Sequence, residues 1–308
     1  MNGYAAAAVA VLIWAAYPVA TRAGVTGSFT AQELVTLRFG VAALLFLPYL
    51  VLRWRRIGGA AWLRGVPLTL CQGAGMGALV ICGLELAPAN HQAALGPGAS
   101  PAWVALLGYV LFARRPSARL VSGAALCAVG VAALACWSAS RLSLTVLAGD
   151  AMFLAASALG ALYVLQLRSW RVGAVHGAAI VSVYSALIVV PWHLWSASEP
   201  LWRVPLLELA WQTLWQGVLI GCISLIALNH AIARLGAERS SSLVALVPVL
   251  SAGVAAAFLG EVPSSAETAA FLAISAGVSI SASRAYAGSP AVSSAPMKRP
   301  ACGLSRPG

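Results

Sequence analysis

Ten apolar runs follow one another through this chain with only short polar breaks. They fall at 5–22, 31–52, 65–86, 91–112, 118–137, 146–167, 175–195, 212–233, 240–260 and 265–286. About 20 mostly apolar residues suffice for a helix to cross the hydrocarbon core of a bilayer. Inside that core a chain must satisfy its own backbone polar groups, which a helix does. The chain therefore reads as an all-α integral membrane protein with ten transmembrane helices. Composition closes off the alternatives. Of 308 residues 61% are hydrophobic and 9% charged, with a mean hydropathy of +0.88. Soluble domains carry about 25% charged residues, so too little polar surface remains here to coat a water-soluble globule. A soluble enzyme, a disordered chain and a coiled coil are excluded.

The net charge is +11, from 19 Lys and Arg against 8 Asp and Glu. The basic residues sit in short clusters between apolar runs, so membrane topogenesis explains them and no nucleic-acid partner is expected. With the N-terminus inside, the inside segments hold 15 of the 19. These are Arg53, Arg55, Arg56, Arg64, Arg114, Arg115, Arg119, Arg168, Arg171, Arg234, Arg239, Arg284, Lys298, Arg299 and Arg306. Only Arg22, Arg38, Arg141 and Arg203 lie elsewhere. This asymmetry places both termini in the cytoplasm of a cell with a bacterial-type inner membrane. The first run has no basic leader and is read as a span rather than a cleaved signal peptide. Residues 287–308, rich in Gly, Ser, Pro and Ala, read as a disordered cytoplasmic tail.

Rare residues narrow the chemistry. The single lysine, Lys298, lies in the tail, so no Walker A or Schiff-base lysine is available in the body. The single aspartate, Asp150, cannot form a paired-aspartate metal site. His91, His176, His193 and His230 have no second His or Cys at metal-ligand spacing. Cys71, Cys82, Cys127, Cys136 and Cys222 lie within apolar runs and read as small packing residues. No metal and no cofactor is expected.

The chain also repeats itself. At a shift of 147 residues Pro101 meets Pro248, Phe112 meets Leu259, Arg114 meets Glu261, Pro116 meets Pro263 and Gly130 meets Gly277. At a shift of 146 Tyr17 meets Tyr163 and Arg22 meets Arg168. The expected organisation is a first five-helix repeat over 1–139 and a second over 140–286. An odd number of spans per half inverts one half relative to the other, a transporter architecture with its substrate site near the midplane.

The motifs carry a resemblance. Trp14-Ala-Ala-Tyr17-Pro-Val-Ala-Thr-Arg22 lies in the first span, Leu34-Val-Thr-Leu-Arg38-Phe39 in the second, and Ala87-Pro-Ala-Asn-His-Gln-Ala-Ala opens the fourth. The second half adds Gly149-Asp150, Ala161-Leu-Tyr163, and Pro248 followed by Gly260-Glu261. Over residues 5–286 the chain resembles the drug/metabolite transporter superfamily, EamA type. That resemblance implies a secondary transporter, usually an exporter of small metabolites such as amino acids. One departure stands out. Ala113-Arg114-Arg115-Pro116 occupies the place of the family's usual Gly-Glu pair, which only the second half keeps.

The candidate substrate-binding residues are the deep aromatics Trp14, Tyr17, Trp103 and Tyr163 with the intramembrane polar or polarisable Gln72, Met76, Asn229 and His230. Polar groups in a span are costly and face the protein interior. Plainer readings stay open: core packing for the aromatics, an interhelical hydrogen bond for Asn229, an interfacial residue for His230. Pro101 and Pro248, near mid-span, are expected as hinges. Glu85 and His91, near outer helix ends with Asp150, are candidates for proton coupling, the alternative being solvated loop charges. Arg38 is expected to snorkel outward or to pair with Glu33 or Glu267. The Ala- and Gly-rich fifth and tenth spans read as scaffold or homodimer surface. The leading reading is thus an exporter of small amphipathic solutes, with protons as a possible second cargo and the bilayer as surroundings. The rivals are an integral-membrane lipid-modifying enzyme and a membrane scaffold or sensor.

Overall fold

The computed structural model describes residues 2–53, 59–113, 115–140, 143–170, 174–196, 201–235 and 243–282. They form α1 (Gly3–Val25), α2 (Ala31–Arg53), α3 (Gly59–Gln72), α4 (Ala74–Leu86), α5 (Ala89–Phe112), α6 (Ala118–Ser140), α7 (Leu144–Trp170) and α8 (Ala174–Ser196). Then follow α9 (Leu206–Thr213), a π-helical stretch (Leu214–Ile223), α10 (Ser224–Leu235), α11 (Val247–Leu259) and α12 (Ser265–Ala282). There is no β-strand among the described residues. Eight helical segments are long and apolar enough to cross a membrane, with α3–α4 counted as one and the run from α9 towards α10 as another. The last two predicted spans appear as the shorter apolar helices Val247–Leu259 and Ser265–Ser281. Two turn residues, Ala245 and Leu246, precede α11, and residues 236–242 and 283–308 lie outside the described residues, the predicted tail among them.

Helix starts are encoded locally. Asn2 caps α1 by accepting from the Ala5 amide at 2.8 Å. Thr30 and Glu33 form a reciprocal capping box at α2, and Ser264 and Glu267 form another at α12. Helix ends show a matched pair. α5 ends on Ala113 and α11 on Gly260, both left-handed, at φ 49° and φ 68°. Their amides bond to the carbonyls of Gly108 and Ala255, again 147 residues apart. Alanine carries a steric cost in that conformation that glycine avoids.

The helix ends and their connections gather at two ends of the bundle. The end where α1, α4 and α11 finish and α2, α5, α7 and α12 begin carries Glu33, Glu85, Asp150, Glu261 and Glu267. The opposite end carries Arg53, Arg64, Arg119 and Arg234. We refer to them as the acidic and basic ends. Between them α1 packs on α10 and α11, α2 on α8 and the π-helical stretch, α3, α4 and α5 on α7, and α6 on α12. In the α6–α12 seam Gly277 lies against Cys127, and Gly130 against Ile274 and the Ala270 carbonyl. The small-residue faces read as scaffold or dimer surface are therefore used within the chain.

Two substitutions probe this packing in detergent by thermal unfolding. Ala113→Gly should stabilise the protein by about 1 kcal/mol by relieving the left-handed alanine. Gly123→Leu, whose Cβ would collide with Ser281 Oγ and the Gly277 carbonyl, should destabilise it by about 1–3 kcal/mol.

Candidate functional site

The predicted third span is broken in its middle. α3 stops at Gln72, Gly73 leaves the helix, and α4 resumes at Ala74. Gly73 is boxed in, since a Cβ there would strike Ser185 Oγ and the Thr69 carbonyl. Ser185, fully buried on α8, accepts from the Ala74 amide at 3.1 Å and so replaces one bond the break removes. Gln72 and Met76 flank the interruption. Both face Gly160 of α7, whose Cβ position lies 3.6 Å from Gln72 Oε1 and 3.8 Å from Met76 Cε. Irregular backbone at such depth is tolerated where protein or a cavity covers it.

The second half has its own irregularity in the span from α9 to α10, which winds as a π-helix over Leu214–Ile223. Such stretches often accompany function. Here the π-helical stretch feeds a buried polar seam against α1. Gln212 Nε2 donates to the Ala20 carbonyl at 2.7 Å, and Gln216 Nε2 donates to Thr21 Oγ1 at 2.9 Å. Thr21 in turn donates to the Tyr17 carbonyl at 2.8 Å. Gln216 Oε1 is buried without a hydrogen-bond partner. Pro18, buried in α1, has no amide hydrogen and frees the Trp14 carbonyl.

Tyr17 holds Arg38. Arg38 Nη1 donates to Tyr17 Oη at 2.8 Å. Its guanidinium carbon lies 5.4 Å from the Tyr17 ring centroid and 5.5 Å from that of Phe39. Such stacking stabilises by about 0.5–2 kcal/mol. The expectation that Arg38 pairs with Glu33 or Glu267 is corrected: Glu33 pairs with Arg203 at 3.0 Å and Glu267 bonds to His91. Those carboxylates start α2 and α12, where their capping boxes hold them at the helix ends.

At the acidic end charges from both halves interlock. Arg22, at the end of α1, pairs with Glu261 through Nε. Its Nη1 donates to the carbonyls of Leu84 at 2.6 Å and Ala87 at 2.5 Å, which end α4. Glu261 Oε2 accepts from the Ala89 amide, which starts α5, at 2.8 Å. One ion pair thus joins α1, α4, α5 and α11. Beside it His91 Nδ1 meets Asp150 Oδ1 at 2.9 Å, and Nε2 meets Glu267 Oε1 at 3.2 Å. Each contact needs a proton, and a neutral imidazole supplies only one. The group therefore holds either an imidazolium between two carboxylates or a neutral imidazole with one carboxylic acid. The reading of His91 and Asp150 as solvated loop charges is corrected: they are 2% and 3% exposed, because α5, α7 and α12 converge on them. Glu85 is exposed.

Other predicted site residues are dispersed. Trp14, half-buried, packs with Val11, Ala93 and Val247. Trp103 and Tyr163 are half-buried on α5 and α7, and His230 is half-buried on α10. The side chain of Asn229 lies outside the described residues. Pro101 sits inside α5, whereas Pro248 sits in the first turn of α11. Sequence reasoning missed Gln212 and Gln216 as site residues, along with the Arg22–Glu261 pair. The Arg22 and Glu261 motifs were in view, but their contact spans 239 residues.

Comparisons with known proteins give the following likenesses. Residues 1–136 match the model of the EamA-like transporter family, a branch of the drug/metabolite transporter superfamily. The matched residues carry the motifs of the first, second and fourth spans on which the resemblance rests. No curated protein matches the chain. A solved crystal structure is similar at a TM-score of 0.60 and 20% identity, over 92% of this chain and 98% of its own. That likeness is one of fold.

The interlock can be weighed by a double-mutant cycle. Arg22→Ala and Glu261→Ala should each lower thermal stability in detergent. The double variant should lose less than the sum, with a coupling of about 0.5–3 kcal/mol.

Proposed function

We propose that this protein is a secondary transporter that exports small amphipathic metabolites, amino acids or related solutes, across a bacterial-type inner membrane by alternating access. The EamA match over residues 1–136 carries the reading. Three observations favour two inverted five-helix repeats, 1–139 and 140–286. The principal helix pairs exchange with one another when the first five spans are swapped for the last five: α1–α10 with α7–α4, α1–α11 with α7–α5, and α2 on the π-helical stretch with α8 on α3, while α2–α8 and α6–α12 map onto themselves. The left-handed caps Ala113 and Gly260 correspond. The break at Gly73 and the π-helical stretch interrupt corresponding spans, as paired irregular helices do around transporter sites.

The substrate would lie between these irregular segments, against Tyr17, Gln72, Met76 and Tyr163, with Trp14, Trp103, Asn229 and His230 bounding it. Aromatic faces bury the apolar part of a solute and polar groups fix its other end. Pro101 and Pro248 are the proposed hinges. The basic end faces the cytoplasm with both termini, and the acidic end faces outward. The resting state is closed at the acidic end. On the repeat, Arg22 and Glu261 correspond to Arg168 and Arg114, two like charges that cannot form an equivalent pair. The His91, Asp150 and Glu267 group is the proposed proton carrier, since its three members share two protons and span α5, α7 and α12. A lipid-modifying enzyme is disfavoured because these carboxylates are engaged with cations rather than arrayed at an open interfacial cleft.

Purified protein in vesicles loaded with amino acids should release them faster than empty-bilayer controls, and an imposed pH gradient should accelerate release. His91→Gln should abolish the response to the gradient while Glu85→Gln keeps it. Tyr163→Phe and Asn229→Ala should slow release several-fold, as loss of one hydrogen bond of about 0.5–1.5 kcal/mol implies. Release that ignores the gradient would indicate facilitated diffusion. Release no faster than through protein-free bilayers would refute the transport reading.

A further inference from the structure

Arg38 is the one described arginine in the acidic half of the bundle that no carboxylate neutralises. It lies seven residues into α2, which starts at Ala31, so about 10 Å below that helix end at about 1.5 Å per residue. The other buried and half-buried charges at that end are matched, while Glu85 and Glu208 are exposed. Arg22 pairs with Glu261 and Arg203 with Glu33, while His91 takes both Asp150 and Glu267. Arg38 forms no ion pair among the described residues. A cation at that depth is costly and ordinarily marks a functional position with an anionic or polar partner.

The guanidinium is positioned but not consumed. Of its five N–H donors, one goes to Tyr17 Oη, and no other hydrogen bond from its side chain forms among the described residues. The guanidinium carbon lies over the Tyr17 and Phe39 rings, and the other four N–H donors are free for a further partner. Arg38 is half-buried rather than sealed. The Phe39 ring rests against Gly77, at 2.9 Å from a Cβ built there, so the ring beside the guanidinium touches the segment that resumes after the break at Gly73. A planar guanidinium fork with free N–H donors matches the two oxygens of a carboxylate.

We propose that Arg38, steadied by Tyr17, binds the carboxylate of the transported solute, so that the protein moves amino acids and related organic acids and discriminates against their amines and amides. This rests on the transport reading above and names its substrate class. Lysine would keep the charge and lose the fork. Tyr17→Phe would keep the ring and lose the orienting hydroxyl.

The test uses the full chain in vesicles loaded with a mixture of L-amino acids, their α-amides and their decarboxylated amines, with release quantified by mass spectrometry. The wild type should release acids in preference to amides and amines. Arg38→Gln should slow acid release about 10- to 100-fold, the loss expected for a charged hydrogen-bonded contact, and leave amide release unchanged. Arg38→Lys should fall between, and Tyr17→Phe should show a smaller selective loss. Equal release of acids and amides by the wild type would overturn the assignment, as would equal loss of both in an Arg38→Gln protein of unchanged thermal stability. Should Arg38→Gln fail to fold, competition on the wild type decides. Excess amide that fails to slow acid release supports the assignment, and equal competition overturns it. If the wild type releases none of the three classes, transport of these solutes is itself refuted, a result distinct from unselective release.

Discussion

A guanidinium and a carboxylate withdrawn from water offset their desolvation only if nearly every donor and acceptor finds a partner. Arg22 and Glu261 meet that condition by recruiting the backbone. Arg22 takes the carbonyls that α4 leaves unpaired at its end, and Glu261 takes an amide that α5 leaves unpaired at its start. The pair therefore also caps a helix–helix corner contributed by the other half of the chain. Four helices are fixed at the acidic end by one contact, and the His91 group beside it adds α7 and α12. The remaining charges at that end are placed by what this interlock leaves over. Glu33 goes to Arg203, and Arg38 is left on aromatic faces.

The interior below the interlock departs from regular helix. Gly73 breaks one span and Leu214–Ile223 widens another. Both departures are supported from outside their own segment, by Ser185 of α8 in the first case and by α1 and α2 in the second. Gly217 and Gly221 of the π-helical stretch sit against Val41 and Ala42 of α2, leaving no room for larger side chains. These two irregular segments, with the Tyr17–Arg38 contact between α1 and α2, bring Gln72, Gln212 and Gln216 towards α7 and α1. Hydrogen bonds and close glycine contacts there substitute for the hydrophobic driving force that lipid does not provide between helices.

Much of the fold was legible because the bilayer imposes it. Runs of about 20 apolar residues located eight spans outright. The break at Gly73 was not legible, since Gly73 lies within an unbroken apolar run and its supporting hydroxyl comes from 112 residues away (Ser185). The π-helical stretch has no compositional mark for the same reason. Among the candidate site residues, Gln72 and Met76 flank the break and both lie against Gly160 of α7. His91 and Asp150 looked solvated because their positions at helix ends say nothing about α12 closing over them. Arg38 was visible as a charge in a span, but its lack of a carboxylate emerges only once Glu33 and Glu267, its expected partners, are found engaged with Arg203 and His91.

On the proposed transport reading, the Arg22–Glu261 interlock closes one end of a polar pathway that opens at the opposite end. The direct measurement is the side from which a single cysteine at position 76 is modified by a membrane-impermeant thiol reagent, in a Met76→Cys protein whose native cysteines are replaced. With the interlock intact, reaction should occur from the basic side and not from the acidic side. With Arg22→Ala or Glu261→Ala added, reaction from the acidic side should appear. Modification from the acidic side while the interlock is intact, or from neither side in any variant, would contradict the account.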